Sequence, residues 1–220
     1  MKTSHFNWDY AVENTNVEDF LSGGESLWGY NQGFENEGRQ HWLRYLKAFP
    51  KPADSKLKVC ELGFGAGVDL QLLKESGQLQ YIEMYGVDVT TKFCQHAALK
   101  FPEIKVTQIN GYDIPFPDKF FDVLYMRHVL EHQENYRWQL REAFRVTSKE
   151  LFINFFIPLT SEPVDEIVFD NIFYHNKYSR KLLETFCDKY GWEITNTHTY
   201  VKRKDEADYV DQVVVLRRKS

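Results

Sequence analysis

The stretch Leu57-Lys58-Val59-Cys60-Glu61-Leu62-Gly63-Phe64-Gly65-Ala66-Gly67-Val68 constrains the fold more than any other part of the chain. It opens as a short apolar run with β-branched character, as a strand buried in a parallel sheet requires. It then meets glycine at every second position and continues as Val68-Asp69-Leu70-Gln71-Leu72-Leu73-Lys74, with apolar residues at helical spacing. Strand, glycine turn and helix in this order direct free backbone N–H groups and a helix N-terminus at a ligand. Glycine serves such a turn by adopting positive φ and by letting the backbone approach the ligand closely. Taken alone, the stretch also reads as a tight βα turn without a ligand.

A dinucleotide site would read G-x-G-x-x-G, its third glycine letting the helix sit close to its strand. Here that third position is Val68, and Gly67 comes one residue early. The carboxylate of Glu61 ahead of the turn would repel a pyrophosphate and suits a ligand with a cationic amino group. The pattern acid-x-Gly-x-Gly-x-Gly resembles the first motif of class I S-adenosylmethionine-dependent methyltransferases. The resemblance implies contact between the cofactor and Glu61, Gly63, Phe64, Gly65 and Gly67.

The second strand expected, Gln80 to Val89, ends in Asp88. A carboxylate about 20 residues past a glycine turn, at the tip of the next strand, can accept hydrogen bonds from both hydroxyls of a ribose. Nicotinamide enzymes share this feature, so it supports an adenosine-bearing ligand of either class; Asp88 as a plain loop or capping acid is the alternative. A helix from about Thr91 to Lys100, closed by Phe101-Pro102, and a third strand over Ile104–Ile109 follow.

The segment Asp113-Ile114-Pro115-Phe116-Pro117-Asp118-Lys119-Phe120-Phe121-Asp122 resembles the methyltransferase sequence in which an acid recognises the adenine amino group. By that resemblance Asp113 holds the adenine and Ile114 lies against its ring, with Val89 and Met126 as further cofactor contacts. A turn acid is the other reading of Asp113, and Phe116, Phe120 and Phe121 read as core. The fourth strand, Val123 to Met126, runs into Arg127-His128-Val129-Leu130-Glu131-His132, and the family places "h-V-L-E-H" at the carboxyl end of this strand. Ligands of open α/β sheets bind at such strand ends. His128, Glu131 and His132 are therefore the candidate catalytic residues, with His128 and His132 the candidate bases. The two histidines would share a face if the segment were helical. Capping and packing is the plain reading of Glu131 and His132, and Arg127 suits an anionic substrate group or solvent.

A helix is expected over Tyr136–Val146 and an apolar fifth strand from Lys149 to Pro158, buried on both faces. Residues 158–178 read as an insertion covering the substrate. The "H-x-x-Y-S-x-x-x-L" sequence of His175, Tyr178, Ser179 and Leu183 resembles the family's lead into its last helix, with Ser179 as N-cap and Gly191 past the helix end. Trp192–Tyr200 and Tyr209–Arg217 read as a closing β-hairpin, its tip carrying the solvated charges Lys202 to Glu206. Upstream, residues 1–52 read as an N-terminal helical extension or lid packing on a domain of residues 53–220. That extension holds a helix from about Glu37 to Ala48, the breaks Gly23-Gly24 and Gly29, and Trp28 and Tyr30 as core or lid residues.

The sum is an α/β fold: a doubly wound, seven-stranded, mostly parallel Rossmann-like sheet with an antiparallel last strand. A chain of 220 residues suits one such domain. Net charge of -5 argues against broad nucleic-acid binding, which leaves a small-molecule substrate ahead of protein or nucleic acid. No apolar run nears the ~20 residues of a membrane span, and the N-terminus lacks a signal-peptide core, so the expected location is cytoplasmic. Cys60, Cys94 and Cys187 are odd in number and widely spaced, as expected of buried reduced thiols, and the histidines lack metal-site spacing.

The resemblance implies the cofactor S-adenosyl-L-methionine and methyl transfer to a nitrogen or oxygen of a small molecule. In that chemistry the protein aligns the reactants and needs no covalent nucleophile. A nicotinamide-dependent oxidoreductase on a related sheet, or a non-catalytic member acting as an interaction module, are the alternatives.

Overall fold

The computed structural model describes residues 36–109, 112–169, 174–204 and 207–220, by backbone alone over 202–204 and 207–209. Trp28, Tyr30, the breaks at Gly23-Gly24 and Gly29, and the charges of the hairpin tip lie outside the described residues.

The described strands form a seven-stranded sheet in the order β3-β2-β1-β4-β5-β7-β6. The chain divides into two compact units, residues 1–111 and 112–220.

In the first unit, helix α1 (Glu37–Ala48) begins where the Asn36 side chain accepts the Arg39 N–H at 3.1 Å. Its buried face includes Trp42, Leu43 and Leu46. Strand β1 (Leu57–Leu62) precedes helix α2 (Val68–Glu75), strand β2 (Ile82–Asp88), helix α3 (Thr91–Lys100) and strand β3 (Lys105–Gln108). β1 and β2 run parallel from Leu57 beside Ile82 to Leu62 beside Val87. β2 and β3 run parallel with Asp88 beside Gln108. β3 is shorter than the alternation of Ile104–Ile109 suggests. It lies at the end of the strand order, and the side chains of Lys105 and Gln108 are exposed. Val59, Leu70, Leu73, Val87 and Ala97 are fully buried and form the unit's core with Phe101.

In the second unit, strand β4 (Phe121–Arg127) leads through a 3-10 turn (Leu130–His132) to helix α4 (Tyr136–Val146). Strand β5 (Thr147–Phe155) follows α4 without a loop and starts two residues earlier than expected. The Arg218 guanidinium donates to the Phe144 carbonyl and, at 2.7 Å, to the Thr147 carbonyl, which satisfies backbone acceptors at this abrupt junction. Helix α5 (Arg180–Lys189) has Ser179 as its N-cap, and Gly191 beyond its end has φ 74°. Strands β6 (Trp192–Lys204) and β7 (Ala207–Arg218) form an antiparallel hairpin longer than the periodicity predicts. β5 lies parallel to β4 and antiparallel to β7, so Asn154 has Arg127 on one side and Val213 on the other. β5 is buried over Glu150–Phe155, as expected of a strand covered on both faces.

Among the described residues the three cysteines are free and buried, and no helix is long and apolar enough to cross a membrane.

Candidate functional site

Two clusters hold the residues singled out from the sequence, one in each unit.

In the first unit the turn after β1 is built from left-handed glycines. Gly63, Gly65 and Gly67 have φ of 74°, 55° and 83°. These conformations suit glycine, and they explain the every-second-residue spacing. The Gly63 N–H donates to the Val87 carbonyl at 2.7 Å, and the Gly67 N–H to the Phe64 carbonyl at 2.9 Å. Gly67 then caps α2, with Gln71 donating to its carbonyl at 2.9 Å. A Cβ at Gly67 would stand 2.8 Å from the Phe101 ring. The Phe64 ring lies so close over Gly86 that a Cβ there would meet it at 3.0 Å. The unbroken backbone approach is thus needed by the packing as well as by a ligand.

Asp88 closes this turn. Its Oδ2 accepts the Gly65 N–H and its Oδ1 accepts the Thr90 N–H, each at 2.8 Å. Burial raises the Asp88 carboxyl above the ordinary range, and these backbone donors work in the opposite direction. The Thr90 hydroxyl and the Val89 N–H also donate to this carboxylate, so it is held from several sides at the tip of β2. Glu61 is buried at the end of β1, and Phe64 is buried beside it in sequence, while Val89 is half-buried. Asp69, in the first turn of α2, is buried with Arg39 of α1 at 2.5 Å. That pair was not anticipated, because neither residue belongs to a sequence motif.

In the second unit Asp113 is exposed and Ile114 is buried. Arg145 secures this segment, donating to the carbonyls of Ile114 and Phe116 at 2.8 Å each. Phe116, Phe120 and Phe121 pack on one another with centroids 4.8 to 5.2 Å apart, as core aromatics do. Met126 is fully buried within β4.

The histidine segment is not an α-helix, so its two histidines do not share a helix face through four-residue spacing. His128 has φ 55°, uncommon for a non-glycine residue and a mark of conformational strain. Its N–H donates to the Asn154 carbonyl at 2.8 Å, and its Nε2 lies 2.8 Å from Asp211 Oδ1 on β7. Arg127 Nη2 lies 3.8 Å from the same oxygen. His132 Nδ1 lies 2.7 Å from the Tyr174 carbonyl. The rings of His128 and His132 both pack on Phe156, at 5.2 and 5.1 Å, and His175 stands 5.7 Å from His132.

Glu131 is fully buried, and its Oε1 accepts the Phe156 N–H at 2.6 Å. Burial pushes its carboxyl up to about 8, with the Asp211 charge adding to the rise. The Asn154 amide is fully buried and has no hydrogen-bond partner among the described residues. The Asn176 amide donates to the Gln133 carbonyl at 2.7 Å, and the Tyr178 hydroxyl to that of Leu130 at 2.6 Å. These two residues of the "H-x-x-Y-S" sequence therefore anchor the turn that carries Glu131 and His132. Among the described residues no group of acids, histidines and cysteines is arranged to hold a metal.

Residues 60–152 match a family described as "Methyltransferase domain". Curated proteins give no match in sequence. Solved structures give many matches of low identity. The [4+2]-cyclase SpnF is 15% identical, with TM-score 0.68 and 96% of each chain covered. A Burkholderia thailandensis 1,6-didemethyltoxoflavin-N1-methyltransferase, solved with 1,6-didemethyltoxoflavin and S-adenosylhomocysteine, is 13% identical. Its TM-score is 0.65, and the match covers 100% of this chain and 93% of that one. A Methanosarcina mazei S-adenosylmethionine-dependent methyltransferase is 15% identical with TM-score 0.58, covering 74% of this chain and 93% of that one. At such identities these likenesses establish the fold. The matched segment contains the glycine turn, Asp88 and the histidine segment, so this part of the chain is similar to a methyltransferase domain, and the seven-stranded sheet is the Rossmann-like fold that the solved methyltransferases share.

Proposed function

We propose that this protein transfers the methyl group of S-adenosyl-L-methionine to a nitrogen or oxygen of a small-molecule acceptor. The observation that carries the cofactor half is the left-handed glycine turn with Asp88 bonded to the Gly65 N–H. In this reading Asp88 takes the ribose hydroxyls, and Gly63, Phe64, Gly65 and Gly67 line the approach. Glu61 faces the cationic amino group, and Val89, Asp113, Ile114 and Met126 serve the adenosine. The cofactor brings an activated methyl on a sulfonium, so the chain's own work is to hold reactants in line and manage a proton.

His128, His132 and Glu131 are the residues assigned to that proton and to the acceptor. Glu131, raised to about 8, is largely protonated at neutral pH and so serves as a hydrogen-bond donor. Asn154 supports the acceptor role of this cluster, since a buried amide tends to find a partner. In this reading residues 1–52 serve as an N-terminal extension or lid, and residues 158–178 as the insertion that covers the acceptor. Net charge of -5 and the Burkholderia neighbour crystallised with a small heterocycle favour a small-molecule acceptor over nucleic acid. The cytoplasm is the proposed place of action.

Calorimetry with S-adenosylhomocysteine and NADH tests the cofactor: binding of the first alone is expected, and binding of NADH alone refutes the proposal. Methyl-labelled cofactor added to a fractionated cell extract tests the acceptor, with label expected in the small-molecule fraction. The cyclase neighbour supports a second reading, in which the same fold serves a reaction without methyl transfer. Cofactor binding without label transfer in any fraction would favour it.

A further inference from the structure

We infer that Asp211 is the positioning residue of His128: it fixes the imidazole as the Nε2–H tautomer and leaves Nδ1 as the basic nitrogen. The inference deepens the assignment of His128 as the proton acceptor and rests on that reading for its catalytic meaning. It restricts the acceptor to one that surrenders a proton as it is methylated, such as a hydroxyl.

The argument starts from β7. Asp211 is 2% exposed, and its Oδ1 stands 2.8 Å from His128 Nε2. An ionised carboxylate accepts hydrogen bonds and cannot donate them, so the proton of this contact belongs to Nε2. Arg127 favours that ionised state, its Nη2 being 3.8 Å from the same oxygen. A neutral imidazole protonated at Nε2 carries its lone pair on Nδ1. The backbone of His128 supports the placement. The residue sits at φ 55°, with its N–H fixed on the Asn154 carbonyl at 2.8 Å, and the ring packs on Phe156 at 5.2 Å. Strain of this kind persists where surrounding contacts over-determine the conformation, which is common at functional sites.

Among the described residues, charged and titratable groups near the ring include Arg127 of β4, Glu131 and His132 of the 3-10 turn, His175 beyond Phe156, and Asp211 of β7. Asp211 meets the ring directly, its Oδ1 2.8 Å from Nε2. In the proton step, the acceptor's O–H bond breaks, its electron pair stays on oxygen and the proton goes to Nδ1. The Asp211 carboxylate stabilises the imidazolium thus formed, and Nδ1 later returns the proton to solvent. The arrangement follows the general logic of a base oriented by a third group.

The test is 15N NMR of histidine-labelled protein through a pH titration, with His128→Gln to assign the ring. The wild type is expected to show the neutral His128 ring as the Nε2–H tautomer. Asp211→Asn is expected to lose that fixed tautomer and to lower the ring's proton affinity about tenfold, the consequence of removing one neighbouring opposite charge. Asp211→Glu, which keeps the charge, should restore much of both. S-adenosylhomocysteine affinity of each variant, measured by calorimetry, reports separately on the fold and on the cofactor reading. A wild-type Nδ1–H tautomer, or an Asp211→Asn variant that binds S-adenosylhomocysteine normally with an unchanged His128 titration, would overturn the inference. Failure of the wild type to bind S-adenosylhomocysteine would instead strike the proposed function and leave the tautomer result standing.

Discussion

The Gly65 N–H donates to Asp88 Oδ2 at 2.8 Å, so the acid ending β2 is bonded to the middle of the turn that follows β1. One carboxylate thereby sets the turn's shape and, in the proposed function, also meets the ribose of the cofactor. Asp88→Ala removes both functions. Affinity for S-adenosylhomocysteine should fall by about 1–3 kcal/mol, the usual loss when charge-assisted hydrogen bonds are left unmade. Calorimetry on variant and wild type checks this, and equal affinities would remove Asp88 from the site.

Gly65 and Gly67 share a left-handed backbone but differ in what surrounds them. A Cβ at Gly65 would meet the Phe93 ring at an ordinary 4.0 Å, whereas at Gly67 it would stand 2.8 Å from Phe101. Gly65→Ala should therefore cost only the conformational strain, about 1 kcal/mol. Gly67→Ala adds a clash with a buried ring and should cost at least about 1 kcal/mol more. Urea denaturation of the two variants gives the order directly, and equal midpoints would contradict it.

Glu131 makes stability depend on pH. Its folded-state carboxyl is raised to about 8 from the ordinary 4.5, so the folded chain holds the proton more tightly than the unfolded chain. The resulting stabilisation is fully present below the unfolded value and is lost as pH rises through about 8. Glu131→Gln keeps an oxygen for the Phe156 N–H and cannot ionise. Relative to this variant, the wild type should lose stability on the order of a few kcal/mol between about pH 4.5 and 8. Melting temperatures across that range test it: parallel curves for the two proteins would show that Glu131 does not carry the effect.

Much of the scaffold was legible because periodicity and punctuation agreed. Glu37 to Ala48, Thr91 to Lys100 and Tyr136 to Val146 are helices over the residues expected, and the glycine turn was read from spacing alone. The histidine segment shows where that reading stops. Spacing of four suggests one helix face, but His128 adopts φ 55°, a left-handed conformation that residue spacing does not reveal. Asp211 was invisible for another reason. It reaches His128 through the antiparallel register of β7, from 83 positions further along the chain, and local patterns carry no record of such pairings. The fully buried Asn154 amide was legible as a residue in an apolar strand but not as one lacking a partner among the described residues.

Arg39 and Asp69 form a buried ion pair between α1 and the first turn of α2, with side-chain exposures of 2% and 6%. The Asp69 charge is well placed at a helix N-terminus, yet burial makes each partner depend on the other. Arg39→Met leaves a buried carboxylate without its cation and should destabilise the protein by about 3–5 kcal/mol. Asp69→Asn alone removes the charge that the buried guanidinium pairs with and should also destabilise the protein. The double variant removes both charges together, so it should be markedly more stable than the sum of the single losses predicts. Urea denaturation of the three variants completes the cycle. Simple additivity would mean that the two side chains do not stabilise each other, and that α1 is held to α2 by its apolar face of Trp42, Leu43 and Leu46 instead.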